Sequence, residues 1–319
     1  PDRHRRELFE RARKLNKGGK YREAIDLFRQ LMEPGVPATE RAALLIQTGN
    51  CFLSLSELEE AEGHYREAEA KAREGDDQKG QAAALGGLGI LYNVKGELDK
   101  AVDYHSQALK IDREIGNQEG EAADLGNLGS VYLQKGDLDK ALEHHSQALT
   151  IHREIGTREG EAADLGNMGI VYRIKGDLDR ALDLHSQSLS IEREIGHQEG
   201  EASDLGNMGN ISAMRGNLGK ALEHYSQALK IHRDIGHRVG EANQLGNMGI
   251  VYADKGEPDK AMEHLRQAEA IYEEIGARGP GLSTVHQAIQ AIETAQASKG
   301  KPKRAKPTRR PEQRGRRTR

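Results

Sequence analysis

Tryptophan is absent from this chain of 319 residues and aromatic side chains make up only 4% of it, so no large aromatic core organises the fold. Small and aliphatic residues must do the packing, which suits closely spaced helices. A single cysteine, Cys51, excludes an internal disulfide framework and fits a reducing compartment, so a cytoplasmic location is expected. No apolar run approaches the roughly 18 residues of a membrane span. The polar opening PDRHRREL has no apolar segment of the signal-peptide kind. Charged residues reach 31%, as expected of a thin molecule with much exposed surface.

What the chain has in abundance is repetition. The stretch GEAADLGNLGSVYLQKGDLDKALEHHSQALTIHREIG from Gly120 returns nearly unchanged from Gly160 and Gly200, with variants from Gly80 and Gly240. A fixed 40-residue period signals a solenoid, because one copy cannot bury its own apolar face and must stack on others. Within a copy, Ala122, Leu125, Leu128 and Tyr132 follow helical spacing until Lys135-Gly136 interrupts. Leu138, Ala141, Leu142, Ala148, Leu149, Ile151 and Ile155 then repeat the pattern until Gly156. Each copy is therefore expected to form two antiparallel helices. Gly96, Gly136, Gly176, Gly216 and Gly256 sit where a left-handed C-terminal residue belongs. Glu97, Asp137, Asp177, Asn217 and Glu257 follow at expected N-caps, and Pro258 falls at a first helical position.

Gly129, Tyr132, Gly136, Ala141, Ala148 and Ile151 lie at the offsets of the tetratricopeptide repeat (TPR), and over roughly residues 4–296 the chain resembles that family. Two features depart from the usual pattern. Leucine (Leu85, Leu125, Leu165, Leu205, Leu245) replaces the aromatic at the fourth position, and a longer second helix replaces the terminal proline. The 40-residue length is similar to the elongated repeats of kinesin light chains, of Pins-type adaptors and of many prokaryotic TPR proteins. The resemblance implies an all-α, right-handed superhelical solenoid. Anchored on Ala24, Ala61, Ala101, Ala141, Ala181, Ala221 and Ala261, it holds seven helix pairs plus a C-terminal capping helix. The expected organisation is a diverged pair of repeats over 1–78, five near-identical repeats over 79–278, a capping helix over 279–297 and a basic tail over 298–319. That tail has eleven Lys or Arg, three prolines and one acid, Glu312, and is expected to be disordered. Its net +10 within a total of −4 leaves −14 on the rest of the chain.

In the TPR pattern the sixth position of the first helix faces a concave groove, and here it reads Asn127, Asn167, Asn207 and Asn247, with Gly87 in the earlier copy. An Asn side chain carries a donor and an acceptor together, so a row of them can hold a peptide backbone regardless of its sequence. Bonds to a neighbouring helix, or mere copying, are the competing explanations. Position nine (Ile90, Ser130, Ile170, Asn210, Ile250) varies between copies. So do position twelve (Asn93, Leu133, Arg173, Ala213, Ala253) and position thirteen (Val94, Gln134, Ile174, Met214, Asp254). The resemblance places all three on the groove. Drift at exposed sites is the competing explanation, but drift should favour polar residues. Ile, Leu, Val and Met recur, so a mostly apolar lining with few charges is expected. Ala123, Gly126 and Asn127 stand where, in the family this chain resembles, a clamp for an acidic C-terminus needs Lys or Arg, which argues against that activity.

The sequence offers no catalytic set and implies no cofactor. His105, His145 and His185 recur at one repeat position, about 8–10 Å apart if the helices pack normally. Zinc ligands converge within about 2.1 Å of one ion, so this column is read as filling the space that Tyr65 and Tyr225 fill in other copies. The G-x-x-G strings lie inside helices without a preceding strand and are not phosphate loops. The Ser-Gln pairs at Ser106, Ser146, Ser186 and Ser226 have no base beside them. The expected function is a non-enzymatic scaffold or adaptor binding a peptide segment of a partner protein. Two alternatives stand beside it: weak, unspecific binding of nucleic acid or an anionic surface by the tail, and a sensor fragment of a larger signalling protein.

Overall fold

The computed structural model describes residues 2–299, and among them every regular element is an α-helix. The expected disorder of the basic tail, from residue 300 onward, lies outside them. Two compact units make up the chain, residues 1–215 and 216–319.

The first unit holds α1 (Asp2–Lys17), α2 (Tyr21–Leu31), α3 (Ala38–Ser54), α4 (Leu58–Glu74), α5 (Gln78–Val94) and α6 (Leu98–Ile115). It continues with α7 (Gln118–Lys135), α8 (Leu138–Ile155), α9 (Arg158–Lys175), α10 (Leu178–Ile195) and α11 (Gln198–Met214). Each odd-numbered helix from α1 to α9 packs on the even-numbered helix that follows it. The odd helices α3, α5, α7, α9 and α11 also touch one another in succession, whereas the even helices meet no such neighbour among the described residues. The odd helices therefore form the inner, closely spaced layer of this unit. The second unit holds α12 (Leu218–Asp234), α13 (Arg238–Asp254), α14 (Pro258–Glu274) and α15 (Pro280–Lys299). There α13 packs on both α12 and α14, and α15 covers α13 and α14. The last helix runs two residues past the expected end of the cap, into the basic stretch.

All seven anchoring alanines have zero exposure, which is the price of close helix crossing: nothing larger fits. The glycines expected to end helices do so, with φ of +75° at Gly96, +77° at Gly136, +83° at Gly176, +73° at Gly216 and +75° at Gly256. The expected N-caps divide. Asp137 and Asp177 accept from the amides of Lys140 and Arg180, but Glu97, Asn217 and Glu257 make no side-chain cap. The two glutamates turn instead to Lys100 and Lys260, at 2.6 and 2.7 Å.

Ion pairs one copy apart run along the surface of the first unit: Lys135 with Asp99, Lys175 with Asp139 and Arg215 with Asp179. These aspartates are almost fully exposed, so each pair contributes little. Glu62 on α4 is better placed. It accepts from Lys95 Nζ at 2.6 Å, and from Arg66 Nη2 and Tyr92 Oη, each at 2.8 Å. The Lys95 hydrogen bond, ahead of those from Arg66 and Tyr92, holds its carboxyl down from 4.5 to about 2. A carboxyl depressed in the folded state stabilises above its unfolded value and loses that contribution as pH falls through the folded one. Glu62→Gln should therefore be less stable than wild type near pH 6, and the gap should close between pH 4.5 and about 2 in urea titrations. A gap that is constant with pH would show that the charge contributes nothing.

Candidate functional site

The inner layer of the first unit carries the asparagine row. Asn127, Asn167 and Asn207 lie on α7, α9 and α11, which pack side by side, and all three are half-buried. None of their side chains has a hydrogen-bond partner among the described residues, so they are not tied to a neighbouring helix. In the second unit Asn247 occupies the same position of α13, half-buried and likewise without a partner among the described residues. Gly87 breaks the row for a reason of packing. The ring of Tyr65 lies over it, and a Cβ there would come within 2.5 Å of that ring.

A cavity of about 360 Å³ opens on this layer between α3, α5 and α7. Its walls include Ile46 and Asn50 of α3, Gly86, Gly87 and Ile90 of α5, and Ala123 and Asn127 of α7. Asp112, Asn117 and Asp124 line it as well. The structure thus brings Asn127 and Ile90 together, while the position-twelve and position-thirteen residues lie outside this cavity. Within the first unit, Ile90, Val94, Ile174 and Met214 expose 40–59% of their surface, and these large apolar side chains belong to positions nine and thirteen. Ile170 is half-buried and Gln134 exposed. Ser130 donates to Gly126 O of its own helix at 3.1 Å. Arg173 is half-buried, with Nε lacking a partner among the described residues, and Asn210 is half-buried. Ile250, half-buried, is on α13 of the second unit.

The histidine column does more than fill space. His105, His145 and His185 are at most 1% exposed, and their Nδ1 atoms lie 2.9, 3.1 and 2.9 Å from Oδ1 of Asp124, Asp164 and Asp204. A carboxylate only accepts, so Nδ1 carries the proton. The rings rest on glycine: a Cβ at Gly129 would come within 2.6 Å of His145. His152 adds a second bond, Nδ1 to Asp164 Oδ2 at 2.8 Å. The sequence held a signal for this buried acid column that its reading missed. Each His has an Asp nineteen residues on, whereas Tyr65 is followed at that distance by Ala84 and Tyr225 by Gln244.

No metal set forms in this column. Among the described residues three candidate ligands converge in one place, Glu269, Glu273 and His286 of the second unit, with ligand atoms within 4.8 Å of one another. Glu273 and His286 are exposed, and Glu269 is already engaged by Arg266 at 2.8 Å and His286 at 3.0 Å. No helix among the described residues is long and apolar enough to cross a membrane.

Solved structures with this arrangement of helices are numerous. BtubC (BKLC) from P. vanneervenii is 20% identical at a TM-score of 0.61, covering 70% of this chain and 94% of its own. A signal-transduction ATPase from Pyrococcus horikoshii with a tetratricopeptide repeat sensor is 16% identical at a TM-score of 0.70. The match covers 89% of this chain but 44% of that one. A Rap protein solved with the competence and sporulation factor is 15% identical at a TM-score of 0.60, covering 93% of this chain and 99% of its own. At these identities the likeness is one of fold. No curated protein matches in sequence. A tetratricopeptide-repeat family model matches residues 40–114, 121–194 and 201–274, well over half of the sequence. With the helix pairs, the buried alanines and the glycine-ended turns, this match shows that the chain belongs to the tetratricopeptide repeat family.

Proposed function

We propose that this protein is a non-catalytic scaffold that binds an extended peptide segment of a partner protein along the odd-numbered helices of its first unit. The observation that carries this reading is the row Asn127, Asn167 and Asn207, whose amides have no partner among the described residues. An amide left free along a half-buried surface is suited to pair with a peptide group, and its donor and acceptor match both halves of one. The neighbouring apolar side chains Ile90, Ile174 and Met214 would read the partner's side chains. Because these amides make no hydrogen bond to the rest of the described residues, removing them should cost the fold little.

That gives the test. Replacing Asn167 and Asn207 together by Ala should weaken a bound peptide at least about tenfold, since roughly 1.4 kcal/mol suffices and each lost hydrogen bond is worth about 1 kcal/mol or more. The double variant should melt no lower than wild type, because Ala is the better helix former. Peptides selected from a displayed library of random dodecapeptides, titrated by calorimetry, supply the measurement. Unchanged affinity in a folded double variant would remove the asparagine row from the function.

A further inference from the structure

Among the described residues from Lys95 to Arg215, every Lys and Arg but one has a carboxylate oxygen at 3.9 Å or closer. The exception is Arg173 of α9, which has no such partner among the described residues. It is half-buried, and its Nε is closed off from solvent without an acceptor. A partly desolvated charge with no counter-ion is costly, and a carboxylate from outside relieves it.

The other copies act as internal controls. Position twelve is half-buried in each of them, as Asn93, Leu133, Ala213 and Ala253. The apolar occupants need no partner. Asn93 on α5, the other polar one, is left short as Arg173 is: its Oδ1 is closed off without a donor. Buried polar atoms are normally satisfied inside a fold. Here the two copies that carry polar groups at this position leave both for something outside the chain.

We infer that Arg173 takes the carboxylate of an aspartate or glutamate side chain in the peptide segment bound along the odd-numbered helices. The inference rests on the groove reading and adds to it a requirement for one acid in the partner. A guanidinium presents paired N–H donors that match the two oxygens of a carboxylate, and with Nε closed off the terminal Nη groups make that pair. The carboxylate belongs to a side chain and not to a chain end, because α9 lies between α7 and α11. A backbone held at Asn127, Asn167 and Asn207 passes Arg173 in mid-run. The positions that clamp a terminal carboxylate in this family carry no base on α9, where they are Ala163, Gly166 and Asn167. Asn167 and Arg173 stand about 9 Å apart along the helix axis, six residues at about 1.5 Å each. An arginine and an acidic side chain together bridge that distance. One acid is expected and not a run of them, since the neighbouring bases are already neutralised.

The test pans the random dodecapeptide library against the full chain and titrates synthetic versions of the enriched peptides. These should share one Asp or Glu, and its replacement by Asn or Gln should weaken binding at least tenfold. Arg173→Ala installs the side chain that α11 and α13 already carry at this position, so it should fold, melt no lower than wild type and show the same loss. Arg173→Gln, which keeps hydrogen bonding without the charge, is the second variant. Neither variant should lose anything further with the amide form of the peptide. Peptides that need Asn167 and Asn207 but share no acid, or that bind both Arg173 variants unchanged, would overturn this inference and leave the groove reading intact. So would variants that melt lower and lose acid and amide peptides equally, since Arg173 would then be structural. Acid-bearing peptides that need Arg173 yet bind the Asn167 and Asn207 double variant unchanged would remove the asparagine row and keep Arg173. A library that yields no binder at all would overturn both.

Discussion

Replacing Asp164 by Leu should destabilise the protein by about 2–5 kcal/mol, because two ring N–H groups, one buried and one half-buried, lose their acceptor and each orphan costs about 1–3 kcal/mol. Asp164 is 3% exposed and receives His145 on one oxygen and His152 on the other. Asp164→Asn should cost far less. The amide oxygen still accepts from one ring, and its NH₂ can donate to the other after that imidazole shifts its proton to Nε2. Asp204→Leu, which orphans His185 alone, should fall between the two. Urea denaturation of the three variants checks the order. A cost for Asp164→Leu within about 0.5 kcal/mol of a surface substitution would mean that the histidine column packs without its acids.

Two glycine-to-alanine changes three residues apart on α9 should move stability in opposite directions. Helix propensity alone favours Ala over Gly by about 1 kcal/mol at either site. At Gly166 a Cβ would meet Asp204 Oδ1 at 3.5 Å and Ser188 Oγ at 3.6 Å, ordinary contacts, so Gly166→Ala should realise most of that gain. At Gly169 the Cβ would lie 2.8 Å from Cδ2 and Nε2 of His185. That ring is fully buried and held by Asp204, so it cannot swing away. Overpacking of this kind costs about 1–3 kcal/mol, so Gly169→Ala should be destabilising despite its better propensity. Thermal melts of the pair decide it. Stabilisation by both would show that the glycines serve flexibility and not close approach.

These contrasts also mark what the sequence makes legible. Helix pairing follows from two runs of 3/4 apolar spacing per period, and the helix ends from glycines such as Gly136 and Gly176, because both depend on neighbours along the chain. The exposure of Ile174 and Met214 was readable too, since these residues recur at a position where drift would have brought in polar ones. What stayed hidden depends on contacts between copies. That Asp124 meets His105 is written in the paired changes at Tyr65 with Ala84 and at Tyr225 with Gln244, but it becomes meaningful only when the helix faces are known. The cavity is harder still. It takes its walls from α3, α5 and α7 together, and no run of neighbouring residues announces which side chains will line it. The N-caps divide by side-chain length. Glu97 and Glu257 reach Lys100 and Lys260 and leave the helix amides, whereas the shorter Asp137 and Asp177 cap although a base stands three residues on from each as well.

The ion pairs of Asp99 with Lys135, Asp139 with Lys175 and Asp179 with Arg215 each join a residue to one 36 positions further on, within reach of the adjoining copy. Such bonding carries no memory of which copy it is in. If misaligned recombination between the near-identical coding segments of this array added or dropped one 40-residue period, every aspartate would still find a base at the same offset. The length of the array is then free to change in a single genetic event, whereas the His–Asp columns can be altered safely only by two coordinated changes. Heredity in this molecule is quick along the axis of repetition and slow across it.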